Sequence, residues 1–174
     1  MKRFATEARN RLREGVKNKL LLLGFDAKGV AMQSPIEVQG GAMWGDNVCS
    51  IAFYRAFKAL EDRLTQYGVN HVVEEAAYTW FNRLMAIRIM AKNQLCEPAL
   101  QFVGTARTPL IVDQARQGHY QDMSFEVRQQ LFDLLDDDTR TTEQFALLIT
   151  IFCHNNPVIE SCFGDVDAYT EILI

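Results

Sequence analysis

Apolar residues recur along most of this chain at steps of three and four, the spacing that puts them on one face of a helix. From Arg3 to Leu23 the stripe is Phe4, Ala8, Leu12, Val16, Leu20 and Leu23, with Gly24 as a suitable stop. A second helix is expected from about Val48 to Tyr67, with Ile51, Tyr54, Phe57, Leu60 and Leu64 inward and Gly68 closing it. The broadest apolar face belongs to His71–Met90, where Val72, Val73, Ala76, Ala77, Trp80, Phe81, Leu84, Ile87 and Met90 share one side. Asn70 is its expected cap, and Glu74 and Glu75 lie close enough to favour its positive end. Two residues separate these long helices, which predicts an antiparallel helical hairpin forming the core pair.

Elsewhere the pattern is shorter. Ile36–Trp44 alternates around Gly40-Gly41 and predicts a small β-hairpin. Residues 97–108, between the breakers Pro98 and Pro109, read as irregular with Leu100–Val103 as a short strand candidate. A short helix is expected from Pro109 to Arg116, ended by Gly118. Ser124 should cap a helix that stops, frayed, in Asp136-Asp137-Asp138, because acids oppose the negative end of the helix dipole. Thr141 and Gln144 have capping-box spacing at the start of a helix that Asn156-Pro157 ends. Asp165 should cap a last piece, Val166–Leu173, and the sequence stops at Ile174 inside an apolar turn, as at the edge of a longer protein. The fold class is mainly α: a helical bundle around a long antiparallel helix pair, with a small β-hairpin or short strands in the 25–47 and 97–108 loops. A single helical domain spanning 1–174 is expected.

Composition narrows the function more than the fold. A chain of 174 residues, 48% hydrophobic, is long enough to bury a core without disulfides or metal. No apolar run, Leu20–Leu23 included, is long enough to span a bilayer, and no signal peptide follows Lys2-Arg3, so a cytoplasmic location without membrane contact is expected. Cys49, Cys96, Cys153 and Cys162 lack the paired spacings of zinc or redox sites and read as reduced thiols. A Cys153, His154 and Cys162 ligand set would have no obvious fourth member, so no metal is expected.

Net charge is −4, yet residues 1–30 hold eight Lys and Arg against three acids, +5 for the first helix and its exit, leaving −9 on the rest. Arg9, Arg13 and Lys17 follow one another at i,i+4, a row fit for successive phosphates or simply for water. Arg83 and Arg88 offer the same choice between phosphate and ion pairs with Glu61, Glu74 or Glu75. Tyr78 and Trp80 have faces that could stack on bases, though Trp80 sits on the apolar stripe. No catalytic constellation is visible: His71, His119 and His154 lie far apart, and no serine sits in a nucleophile elbow.

One block is distinctive. Glu75-Ala-Ala-Tyr-Thr-Trp-Phe-Asn-Arg-Leu84, followed by Ala86-Ile-Arg-Ile-Met90, resembles a segment near the N-terminus of large adenine-specific DNA methyltransferases. These are the PglX-type enzymes of BREX phage-defence systems and their relatives among fused type II restriction-modification proteins. Phe4–Glu14 resembles their opening, and Asp167–Leu173 a later stretch, so the resemblance spans almost the whole chain. It implies a longer parent that methylates adenine N6 with S-adenosylmethionine, with nuclease activity only in fused relatives. The family's base clamp, Asn/Asp-Pro-Pro-Tyr/Phe, has one weak counterpart, Asn155-Asn156-Pro157-Val158, which lacks the second proline and the aromatic ring. The FxGxG-type cofactor loop is missing, for Phe163-Gly164 stands alone.

The chain is therefore expected to be a non-catalytic N-terminal region that uses no cofactor itself. It would support the methyltransferase domain of the same chain and help frame the DNA, with Arg9, Arg13, Lys17, Arg83 and Arg88 as candidate contacts. The alternative is a helical protein–protein interaction module that binds other defence subunits and never touches DNA.

Overall fold

The computed structural model describes residues 2–163 and 168–174. Among them are seven α-helices: α1 (Lys2–Leu22), α2 (Ile51–Tyr67), α3 (Val69–Lys92), α4 (Leu110–Arg116), α5 (Phe125–Leu135), α6 (Thr141–Asn155) and α7 (Pro157–Phe163). Three short strands, β1 (Ile36–Val38), β2 (Gly41–Trp44) and β3 (Asn47–Cys49), form an antiparallel meander. The fold is mainly α with a small sheet, as the periodicity implies. Contacts within the chain gather into two compact units, residues 1–82 with 166–174 and residues 83–165, and the boundary falls inside α3.

The first unit is built on α1, α2 and the first half of α3. Val16, Leu20, Leu23, Phe25, Phe57, Leu60, Leu64, Val72, Val73 and Ala76 form one buried cluster. It is completed from the far end of the sequence by Tyr169 and Leu173, each 1% exposed, on a 3-10 segment at Ala168–Leu173. Burying side chains of this size is worth about 1.5–3 kcal/mol each, so the last turn is part of the core and not an appendage. The expected cap for it, Asp165, and the start at Val166 lie outside the described residues. Only the second half of the α1 stripe is buried: Phe4 is 53% exposed and Ala8 and Leu12 are half-buried.

Between α1 and α2 the chain is tied locally. Asp26 accepts from the amides of Lys28 and Val30, both at 2.8 Å, and these bonds hold its carboxyl below the usual range. In the meander, Ile36 pairs with Met43 and Val38 with Gly41, so the first turn is Gln39-Gly40, one residue earlier than Gly40-Gly41. Gly40 has φ +87, a conformation that costs glycine nothing. The stretch from Val48, expected in α2, is instead the third strand, with Met43 opposite Val48. The helix starts at Ile51, where the Ser50 hydroxyl accepts from Phe53 N. Trp44, Phe53, Phe57 and Phe25 then stack in a chain with ring centroids 5.0–5.9 Å apart, which fastens the sheet to α2.

Gly68, with φ +78, ends α2 and directly precedes α3, so Asn70 lies in the first turn and is not the cap. No glycine or proline interrupts the next 24 residues. The helix stops in a Schellman motif, with Leu95 N donating to Met90 O and Gln94 N to Ala91 O, although the left-handed position, φ 59, is held by Gln94.

In the second unit α6 packs against α4, α5 and α7. Leu148, Ile149, Ile151 and Phe152 of α6 are buried, as are Ile111, Val112 and Ala115 of α4 and Leu131 and Leu134 of α5. Ser124 caps α5 as expected, accepting from Val127 N. The other end of α5 differs from the expected fraying. Asp137 caps a 3-10 turn at Asp138–Arg140, accepting from Thr139 N at 2.9 Å. Gln144, fully buried, donates to Leu134 O at 2.8 Å and Asp137 O at 2.9 Å, satisfying carbonyls that the helix end leaves open. Gln144 thus closes its neighbour's C-terminus and does not make the capping box its spacing suggests. Leu100–Val103 forms no strand. Phe102 and Val103 are more than half exposed with no strand beside them, and the backbone is held by Leu110 N donating to Gln101 O.

Candidate nucleic-acid interface

The candidate row on α1 runs alongside the buried Val16 and Leu20, so its first two cations face α3. Its three cations meet different surroundings. Arg13 reaches α3, where its guanidinium donates to Glu74 at 2.6 Å, and also to Asn10 at 3.0 Å. Arg9 lies over the ring of Tyr78, 5.9 Å from the centroid. Lys17 is exposed. The Arg13–Glu74 pair is one-third exposed on the arginine and half on the glutamate, so it adds little stability, but it offsets one charge of the row.

Behind this face, α2 and α3 are joined to the chain's last turn by a polar network. Arg63 donates to Glu75 at 2.7 Å, Tyr169 donates its hydroxyl to the same carboxylate, and Arg63 lies over the rings of Tyr67 and Tyr169. Burial, then the bond to Glu75, pushes the Tyr169 phenol well above its ordinary value. Trp80, fully buried, donates from Nε1 to Thr170 O at 2.7 Å. The indole is a packed, hydrogen-bonded core group, whereas Tyr78, 57% exposed, keeps an accessible ring. Glu61 pairs with Lys58, Glu74 with Arg13 and Glu75 with Arg63, so the acids considered for Arg83 and Arg88 hold other cations.

In the second unit, Arg83 is 3% exposed and belongs to the interior, where a phosphate has no approach. Arg88 is on the surface, one turn before Lys92. Arg88 and Lys92 line a groove of about 380 Å³ with Ile87, Ala91, Pro98, Leu100, Gln101 and Phe102.

The Asn155-Asn156-Pro157 stretch has a structural job. Asn155 donates from Nδ2 to Asp122 O, and Asn156 accepts from Val158 N and Ile159 N, capping α7 with Pro157 as its first residue. The proline that ends α6 therefore also starts a helix, a second use that its role as a terminator does not reveal. With both amides engaged, these residues do not fit a base clamp or a cofactor's polar groups. Among the described residues no three His, Cys, Asp or Glu side chains gather as metal ligands. Cys153 is buried, Cys162 is exposed, and His154 meets Glu160 at 3.2 Å. Burial pushes the Cys49 and Cys96 thiols up, away from the reactive thiolate. No described helix is long and apolar enough to cross a membrane.

No family profile matches the chain, and no solved structure does. Two curated proteins do. Over 112 residues, 63% of the chain, it is 32% identical to the adenine-specific methyltransferase BrxX of Escherichia coli O9:H4 (strain HS). Over 104 residues, 54% of the chain, it is 36% identical to the adenine-specific methyltransferase PglX of Lacticaseibacillus casei (strain Zhang). The chain is similar to a region of these BrxX- and PglX-type proteins. The match covers 9% of the length of either relative. The first unit thus carries a helix whose cations are only partly neutralised, and the second unit a groove bearing two more.

Proposed function

We propose that this chain is the non-catalytic, helical N-terminal region of a longer cytoplasmic adenine-specific DNA methyltransferase of a phage-defence system. The observation that carries the reading is the identity with BrxX and PglX over more than half of the chain, which supports a methyltransferase parent. S-adenosylmethionine would be bound and the adenine N6 methylated by other parts of that parent, while this region would brace the methyltransferase domain and help frame the duplex. Arg9 and Lys17 are its leading phosphate contacts, Arg13 is shared between phosphate and Glu74, and Arg88 lies on a second surface. Arg83 would hold α3 in place.

The test is the triple variant R9E/R13E/K17E in the full-length enzyme. Each neutralised phosphate contact contributes about 0.9 to the slope of log affinity against log salt. With Arg13 already offset by Glu74, the slope should fall by at least about 1.8, and adenine methylation of host DNA should drop with it. Unchanged affinity, slope and methylation would refute the DNA-facing role. One observation favours the second reading, a module that binds another defence subunit: the stripe Phe4, Ala8 and Leu12 on α1 is exposed or only half-buried. In that case Phe4→Glu would lower methylation in cells while DNA affinity stayed constant.

A further inference from the structure

We infer that the groove between the end of α3 and the 98–102 segment is a binding site for a single, unpaired nucleic-acid strand, with phosphates on Arg88 and Lys92 and a base on Phe102. The inference rests on the DNA-facing reading for the polymer, and on the groove itself for the form in which the polymer is held.

Charge comes first. The second unit holds more acids than bases, yet the groove is lined by two cations and no carboxylate. Arg88 and Lys92 are exposed, four residues apart on α3, and have no ion-pair or hydrogen-bond partner among the described residues. They project from one wall about one helical pitch apart, in the way cations track a phosphate chain. The last carbonyls of α3 are taken by Asn93, Gln94 and Leu95, so these side chains are not needed to close the helix.

Shape comes next. Ile87, fully buried, and Ala91 make an apolar floor, and Pro98, Leu100 and Phe102 make the facing wall. That wall is fixed before any ligand arrives: Gln101 N donates to Pro98 O, Ile111 N to Ala99 O and Leu110 N to Gln101 O. Phe102 is 56% exposed and stacks on no other ring among the described residues. A solvated aromatic face beside two unpartnered cations is the combination that binds single strands without sequence preference. A duplex keeps its base faces stacked inside, so it can use the cations but not the ring. The volume, about 380 Å³, suits one base at a time.

The experiment is fluorescence anisotropy on the 174-residue chain with labelled oligothymidylate about 12 nucleotides long and with a duplex of equal length. Phe102→Ala should weaken binding of the single strand by about 5- to 150-fold, the loss of one stacked base, and leave duplex binding unchanged. R88Q/K92Q should flatten the single-strand salt slope by about 1.4. Both sites are on the surface, so circular dichroism should report unchanged folding. R9E/R13E/K17E should leave the single strand untouched, so its failure to weaken duplex binding would count against the function proposed above and not against the groove. The inference is overturned if Phe102→Ala binds the single strand normally. It is also overturned if Phe102→Ala weakens duplex and single strand equally, or if oligoglutamate displaces the probe as well as unlabelled oligothymidylate does.

Discussion

Replacing Gln144 with leucine removes a buried polar side chain of the second unit that makes four hydrogen bonds, while keeping its approximate volume. Its amide nitrogen donates to Leu134 O and Asp137 O, and its oxygen accepts from Arg116 Nε at 3.1 Å and Nη2 at 2.8 Å. The losses are unequal. Leu134 O lies in a buried contact and would be left unsatisfied, at about 1–3 kcal/mol. Arg116 keeps Thr141 Oγ1 and Asp138 O, and its side chain is 27% exposed, so water repairs part of its loss. Asp137 lies in an exposed turn and its carbonyl can turn to solvent. The total should be about 2–4 kcal/mol, a fall in melting temperature of roughly 5–15 °C for a domain of this size. Urea unfolding followed by far-ultraviolet circular dichroism reads it directly. A double-mutant cycle with Arg116→Met should then give a coupling of about 0.5–3 kcal/mol, because the two side chains share a bond. A Gln144→Leu variant within about 0.5 kcal/mol of the parent chain would refute the claim that this side chain closes the end of α5.

The same geometry sets three further outcomes. Trp80→Phe leaves Thr170 O without its donor in a dry site and should cost about 1–3 kcal/mol in urea unfolding, beyond what the smaller ring loses in packing. Because the Tyr169 phenol titrates higher in the folded chain than in the unfolded one, the unfolded chain loses its proton first. Stability is therefore complete below the usual phenol value and declines as pH rises past it; Tyr169→Phe should remove that part of the alkaline decline in a pH series of melting curves. Two backbone positions should respond with opposite sign. Gln94→Gly relieves a left-handed residue and should stabilise by about 0.5–1 kcal/mol. Gly29→Ala should destabilise, since its φ is +82 and a Cβ would meet Val69 Cγ2 at 3.0 Å, and the two melting temperatures should move apart.

Local spacing encodes the parts of the fold that were legible in the sequence. The stripe from Val72 to Ile87 needed only a 3.6-residue period, and Ser124 is a cap because it immediately precedes a helical pattern and finds its donor amide three residues on. The misjudged points depend on distant partners. Gln144 has capping-box spacing, but its bonds go to Leu134 and Asp137 on the preceding elements, which no local pattern encodes. The first half of the α1 stripe has the same period as the second, yet a stripe states only that a face is apolar and not that something covers it. Residues 47–49 look like a helix start until β2 is there to pair with them. The candidate cations show the same division. Charge placed Arg9, Arg13, Lys17 and Arg88 on surfaces, while the burial of Arg83 and the Glu74 partner of Arg13 came only from tertiary structure. Lys92 and Phe102 were missed because the groove joins two stretches with a turn and a loop between them. The signal in the sequence was an aromatic residue in an irregular stretch between two prolines, following a helix that ends in a cation.

The buried 3-10 turn at Ala168–Leu173 sets a timetable for synthesis. The first unit's core has room for Tyr169 and Leu173 against Val72, Val73 and Ala76, but those side chains are translated only after the whole second unit. The intervening second unit takes roughly 80 residues to translate, on the order of 4–16 s at bacterial-type elongation rates. Throughout that interval α1, α2 and the first half of α3 keep an open apolar slot, whereas the second unit needs no residue from beyond its own stretch. The first unit is therefore most exposed to chaperones and proteases while it waits for that turn.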